Sequence, residues 1–235
     1  MADTVARLLA ERIAADPARP LVTVISDEGR VELSAVTVGS WVAKTAGLLR
    51  DDLFLSDGAL VDIAVPLGWQ AIAWQHAIWR AGLVVGLDTS APDLLVRDEH
   101  VNPPPTGDVV VVGRHPLGMP INPAPTNALD WSLAARPMPD HFGGPFAPTS
   151  AKALQRATDV IDHAGLLTFT RDLAARWAVG SAARLLIDGA HPPVDAWLGA
   201  ALVPVVTSGS VVLWTASRAP TGADLQSEGV TSVAR

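Results

Sequence analysis

A cluster of polar and aromatic side chains follows an apolar run near residue 188 and is the best candidate for a ligand site. The cluster contains Asp188, His191, Asp195 and Trp197. Asp188 ends the apolar run 184–188, and the carboxyl ends of strands in α/β sheets commonly collect ligand groups. A few such polar groups can orient a mostly apolar small molecule. The alternative is a proline-rich turn between a strand and a helix, with Asp195 near the helix start.

Two other groups of residues have the types needed for chemistry, and each has a simpler interpretation. Asp159, Asp162 and His163 are close enough for a metal site, but without a partner cluster they are more typical of a solvated helix end. Residues 208–210 read Ser-Gly-Ser before a strand, which is not the strand-to-helix elbow of a hydrolase nucleophile. Cysteine is absent, which removes thiolate chemistry. We therefore predict no catalytic residue, no metal and no cofactor.

Length and composition limit the class of protein. The 235 residues can bury a core, and 49% hydrophobic beside 17% charged residues indicates a globular chain. The net charge is −7, and the lysines are Lys44 and Lys152. This acidic balance argues against a nucleic-acid partner, which would need a basic surface. No apolar run approaches the ~18 residues of a membrane span, and the N-terminus lacks a signal-peptide core. We predict no membrane span and a cytoplasmic location.

The elements that must position these groups follow from periodicity and turn residues. The first half predicts a helix capped by Asp3 or Thr4, a hairpin, a helix capped by Ser34, and then a strand, a helix and a strand. The hairpin strands are 21–25 and 31–33, and the last three elements are 60–65, 69–81 and 83–87. Those three should form a right-handed parallel βαβ unit.

The second half contains a long irregular stretch and then regular structure again. Residues 102–148 are dense in proline and glycine around one strand at 108–112, as expected for a crossover. The following pattern predicts helices at 150–159, 168–178 and 194–202 and strands at 184–188 and 210–214. We predict one domain, 1–235, with a βαβ part (1–101), the crossover (102–148) and a second α/β part (149–235). Its fold class is three-layer α/β with a mainly parallel sheet and helices on both faces.

Several motifs occur in a familiar order and spacing. They are Val31-Glu32-Leu33-Ser34, Pro66, Arg80-Ala81-Gly82 and the GLDTSAP turn at 86–92. This order resembles the opening of adenylate-forming enzymes, the superfamily of acyl-CoA synthetases, luciferases and peptide-synthetase adenylation domains. More loosely, 167–173 resembles the helix after that family's phosphate loop, and 191–199 the helix start beside its acyl pocket. The chain is also similar to short actinobacterial proteins that match the N-terminal part of acyl-CoA synthetases.

The resemblance implies the fold of that N-terminal part and also indicates what is missing. The family's phosphate loop is rich in glycine, so that backbone N–H groups can wrap the ATP phosphates. Residues 148–156, before the predicted 168–178 helix, contain no glycine. The family's adenine, ribose, magnesium and lid-lysine segments correspond to positions beyond Arg235. We therefore expect a truncated relative that does not adenylate by itself.

Three functions remain open. The first is a non-catalytic binding or interaction module. The second is a small-molecule binder that keeps a remnant acyl or CoA pocket at Asp188, His191, Asp195 and Trp197. The third is one half of a split acyl-CoA synthetase-like enzyme. As partners we expect a second copy of the chain or another protein, because so apolar a chain would otherwise expose an apolar face to water. We also expect a weakly bound acyl ligand.

Overall fold

The computed structural model describes residues 4–100, 108–157, 159–189 and 193–234. The helices are α1 (Val5–Ala15), α2 (Ala35–Gly47), α3 (Trp69–Arg80), α4 (Trp131–Ala135), α5 (His163–Arg176), α6 (Pro193–Val206) and α7 (Gly222–Ser227), and a π-helical turn, Leu48–Asp52, extends α2. The strands are β1 (Pro20–Ser26), β2 (Gly29–Ser34), β3 (Leu60–Ala64), β4 (Val84–Leu87), β5 (Leu94–Asp98), β6 (Val109–Val112), β7 (Leu129–Asp130), β8 (Lys152–Arg156), β9 (Asp159–Asp162), β10 (Arg184–Asp188), β11 (Ser210–Trp214) and β12 (Ser232–Val233). Within this part of the chain, no helix is long and apolar enough to cross a membrane.

The strands are divided between two sheets. One has the order β12-β10-β11-β1-β2, and the other has the order β7-β6-β5-β3-β4-β8-β9. Neighbouring strands run parallel except in the β1–β2 and β8–β9 hairpins, each of which ends a sheet. Helix α6 packs on one face of the five-stranded sheet, and Leu225 of α7 packs on the other. The predicted mainly parallel α/β fold with helices on both faces is confirmed.

Helix α3 lies in the centre, between the two sheets. It packs against β1 of one sheet and β4 of the other, and eleven of its twelve residues are buried. A helix buried on all sides cannot show a polar face, which explains its nearly continuous run of apolar and uncharged residues. Around it, the rings of Trp41, Trp69, Trp74 and Trp131 pack with centroids 5.0 to 5.9 Å apart. This cluster joins α2, α3 and α4 into one core.

Short polar side chains start the helices where the sequence predicts. The backbone N–H of Arg7 donates to Thr4 Oγ1, and that of Thr37 donates to Ser34 Oγ. Each bond satisfies an N–H that the first helical turn leaves without a partner. At the end of α3, Gly82 adopts φ 75°, a left-handed conformation in which glycine carries no side-chain penalty. The chain then enters β4 directly, which completes the predicted parallel βαβ unit.

The prediction of a helix over 150–159 is wrong. Residues 152–162 form the β8–β9 hairpin, and α5 begins at His163, earlier than the predicted residue 168. Lys, Ala, Leu, Gln and Arg favour helices, but Leu154 pairs with Val85 of β4 and is fully buried. Tertiary pairing with β4 therefore overrides the local preference. Strand β5, with alternating burial, was also missing from the sequence-based assignment.

Candidate ligand pocket at the carboxyl ends of the strands

A cavity of about 390 Å³ lies where strands of both sheets end; we name it the strand-end pocket. Its walls come from the carboxyl ends of β3, β4 and β10 and from the first turns of α6. Parallel strands deliver their carboxyl ends to one edge, which is where α/β proteins usually bind ligands. The apolar lining includes Ile63, Pro66, Leu67, Leu87 and Val194.

Trp197 forms a fixed wall of the strand-end pocket. Its indole Nε1 donates to the Val65 carbonyl at 2.9 Å, and its own carbonyl accepts from Gln75 Nε2 at 3.1 Å. These two bonds tie α6 to β3 and to the central helix α3. Because the indole N–H is satisfied within the protein, the ring offers an apolar surface to the cavity.

Two aspartates supply the negative charge of the strand-end pocket. Asp188 ends β10 and is half-buried, whereas Asp88 follows β4, is exposed and has a left-handed φ of 54°. Both line a cavity whose other described lining residues are apolar side chains or glycine. Asp88 is not among the residues predicted for the site, although its position directly after a buried strand is a signal that the sequence contains.

The structure brings together two of the four residues predicted for the site. Asp188 and Trp197 line the strand-end pocket. Asp195 does not, because residues two apart on a helix face different directions. Its carboxylate instead pairs with Arg176 of α5, with Nη2 and Oδ2 3.2 Å apart. His191 lies outside the described residues.

A second, more polar cavity of about 270 Å³ adjoins the first. The two share residues 65–67 after β3, and the second extends toward the β1–β2 turn and the ends of β5 and β6. There, Arg114 Nε lies 2.6 Å from Asp98 Oδ2, and the His100 N–H donates to Asp98 Oδ1. Burial alone would raise the pKa of Asp98, but these hydrogen bonds outweigh it and lower that pKa. Asp98 is therefore a paired structural carboxylate and not a poised acid.

The segment before α5 does not form a phosphate loop. Only residues 157 and 158 separate β8 from β9, and the two strands pair along their length. A phosphate loop needs several successive backbone N–H groups facing one concavity. Among the described residues of this segment, 152–156 and 159–162 pair as strands, so their amides do not face one concavity.

The residues weighed as a metal site serve the fold instead. Asp162 Oδ1 accepts the Gly165 N–H at 2.7 Å and so begins α5. His163 is fully buried, and burial lowers its pKa, which keeps the ring neutral. Among the described residues, no group of three or more histidine or carboxylate side chains could hold a metal ion.

Comparisons with known proteins agree with this fold. No family model matches the sequence. A TIGR03089 family protein of Mycobacterium tuberculosis is 34% identical over 154 residues, which is 59% of this chain and 63% of that protein. The chain thus spans less than two thirds of that relative.

Solved structures define the class of fold more fully. An acyl-CoA synthetase of Brucella canis superposes on 98% of this chain with a TM-score of 0.79 and 16% identity, over 46% of its own length. Apo MatB of Rhodopseudomonas palustris matches 90% of this chain (TM-score 0.68, 16% identity, 45% of that chain). A fatty acyl-adenylate ligase of L. pneumophila, in complex with acyl adenylate and pyrophosphate, matches 92% (TM-score 0.67, 11% identity, 40% of that chain).

These likenesses confirm the predicted resemblance in fold. The fold of this chain corresponds to less than half of the length of each of these enzymes. At 11–16% sequence identity, these structures show a similar fold and do not show a shared activity.

Proposed function

We propose that this protein binds an uncharged, acyl-type apolar ligand in the strand-end pocket without activating it. One observation carries the proposal: an apolar cavity lies between the strand ends of both sheets, with Trp197 fixed in its wall. Ligand sites are typically cavities of this size class with a few polar groups in an apolar lining. This is the second of the three functions open from the sequence.

The charge of the pocket supports a neutral ligand. Among the described lining residues there is no basic side chain, so a free fatty acid carboxylate or a phosphate would be buried there without a cationic partner. An ester, amide or thioester presents the same acyl chain without that charge. The β8–β9 hairpin supports the absence of activation, because its described residues pair as strands and form no concavity for the ATP phosphates.

The test compares acyl probes that differ in charge. Octanoyl-N-acetylcysteamine, an uncharged thioester, should raise the unfolding temperature progressively as its concentration increases, since a ligand stabilises the state that binds it. Octanoate should have a smaller effect at equal concentration. Octanoyl-CoA and ATP serve as the anionic comparisons.

A matched pair of variants distinguishes binding in the strand-end pocket from non-specific binding elsewhere on the protein. Val194 lines the strand-end pocket and is 42% exposed, whereas Val36 is 46% exposed and outside it. Both occupy the second position of a helix, so an aspartate is equally acceptable to either helix start. Val194→Asp should abolish the thermal shift and Val36→Asp should keep it.

Two results would contradict the proposal. A shift that survives Val194→Asp would place the ligand elsewhere. No shift with any acyl probe would favour the interaction module, the first function open from the sequence.

A further inference from the structure

A separate cavity of about 320 Å³ lies at the opposite end of the seven-stranded sheet; we name it the amino-end pocket. Gly58 precedes β3, Gly82 precedes β4, and Lys152 begins β8, so the cavity sits where these parallel strands start. The Gly58 N–H donates to the Gly82 carbonyl at 2.9 Å, and both glycines have left-handed φ angles of 74° and 75°. The backbone therefore fixes this side of the cavity.

The facing wall of the amino-end pocket is the aromatic loop 142–148. Arg80, at the end of α3, donates to the carbonyls of Gly144 at 2.8 Å and Phe142 at 2.6 Å. Its guanidinium also lies 4.8 Å from the centroid of the Phe142 ring and 4.4 Å from that of Phe146. Arg7 lies 4.7 Å from the Phe146 centroid. Hydrogen bonds and cation–π contacts thus hold the two rings in place.

The charge around this pocket is opposite to that of the whole chain. The chain carries −7, yet Arg50 and Lys152 line the cavity, and Arg7 and Arg80 lie against the two rings. The carboxylate in the lining, Asp57, is 2.8 Å from Arg50 and is neutralised by it. Basic side chains therefore outnumber acidic ones in and beside this lining, in a protein that is acidic as a whole.

Lys152 is the cation left for a ligand. Across the described residues, its ammonium makes no hydrogen bond or ion pair. The residue opposite it in the β8–β9 hairpin is Asp162, whose carboxylate accepts the Gly165 N–H at the start of α5 instead. An exposed ammonium beside a half-enclosed apolar cavity is well placed to pair with an anion whose remainder is apolar.

We propose that the amino-end pocket binds a small amphipathic anion, an aromatic or short-chain carboxylate. Its apolar part packs against Phe142 and Phe146, and its carboxylate pairs with Lys152. A charge-assisted hydrogen bond next to an apolar wall is stronger than one in open water. This site is distinct from the strand-end pocket, which lies at the other ends of the same strands and has no lining residue in common with it.

The experiment is a calorimetric titration with 4-phenylbutyrate and with 4-phenylbutyramide, the uncharged analogue. We expect saturable binding of the carboxylate and about tenfold weaker binding of the amide, the effect of one hydrogen bond to a charged group. Lys152→Gln should lower the affinity for the carboxylate to that for the amide. Lys152→Arg, which keeps the charge, should retain most of the binding.

The control removes an equal charge elsewhere. Arg171 is exposed on α5 and lies outside the cavities described above, so Arg171→Gln should bind 4-phenylbutyrate as the unaltered protein does. Lys152 is exposed as well, so its variants should unfold at the same denaturant midpoint.

The outcomes are decisive in both directions. Loss of carboxylate binding in Lys152→Gln with retention in Lys152→Arg and Arg171→Gln supports the site. Absence of saturable binding, or affinity unchanged by Lys152→Gln, overturns it. Val194→Asp should leave 4-phenylbutyrate binding intact, so failure of the acyl-ligand proposal would be seen separately.

Discussion

At the scale of single residues, the fold decides which neighbours in sequence become neighbours in space. Asp188 and Trp197 meet in one cavity because a strand end and a helix start converge there. Asp195, only two residues from Trp197, turns to Arg176 instead. Residue type and position after a strand predict that Asp188 and Trp197 lie close together, as they do, but the helical register is needed to separate Trp197 from Asp195.

His76 shows how a titratable residue can serve packing. It is buried in α3, with its Nε2 3.0 Å from the Ala201 carbonyl, which selects the tautomer that carries the proton on Nε2. Burial lowers the pKa of His76 to about 4, although the hydrogen bond to Ala201 acts in the opposite direction. The ring therefore stays neutral in the native state at any pH near neutrality.

This burial predicts a dependence of stability on acid. Below its ordinary pKa of about 6.5, the unfolded chain protonates His76 while the native state does not. The free energy of unfolding should thus keep its maximum value above about pH 6.5 and fall by up to roughly 3 kcal/mol as the pH approaches about 4. Urea unfolding at pH 7 and pH 4.5 measures the loss.

Variants isolate the contribution of His76. His76→Gln keeps an N–H donor for Ala201 and should reduce the loss of stability between these two pH values. His141 is exposed, so His141→Gln should leave the loss unchanged. An equal loss in His76→Gln would assign the effect to other groups, of which buried His163 has the same direction of shift.

At the scale of elements, local signals identified the caps, the buried strands and the βαβ unit. They failed at β8, where residues that favour helices form a strand because they pair with β4. They also missed β5, which lies between β3 and β6 and is stabilised by partners remote in sequence. Propensity describes the isolated segment, and for these strands the sheet determines the outcome.

The β8–β9 hairpin predicts that the protein does not adenylate carboxylic acids. Residues 152–156 and 159–162 pair as strands, so the described backbone of this segment does not surround a triphosphate. We expect no pyrophosphate release above the protein-free background with ATP, magnesium and a panel of fatty, aromatic and amino acids. A rate above that background that disappears in Asp195→Asn would refute this prediction.

At the scale of the whole molecule, exposed apolar side chains surround α4 at one end of the seven-stranded sheet. Leu133 is 62% exposed, Leu129 of the edge strand β7 is 36% exposed, and Met119, whose sulfur lies 3.5 Å from Arg136, is 45% exposed. Exposed apolar side chains beside a sheet edge favour contact with another molecule.

We predict that a second copy of the chain covers this surface. Sedimentation at tens of micromolar protein, the concentration range of weak dimers, should show association. Leu133→Lys should shift the protein toward the monomer, whereas Val36→Lys, at a similarly exposed apolar position outside the surface, should not. A strict monomer would contradict the prediction and leave a different protein as the expected partner.

The position of β1 between β2 and β11 also sets an order of assembly during synthesis. Residues 22–25 of β1 pair with residues 211–214, whereas the seven-stranded sheet has all its strands once residue 162 has been made. A lone hairpin is marginally stable, so β1 and β2 must wait for almost the entire chain before their sheet can close. We therefore expect the β1–β2 hairpin, although it is synthesised before every strand of the other sheet, to reach its native place after them.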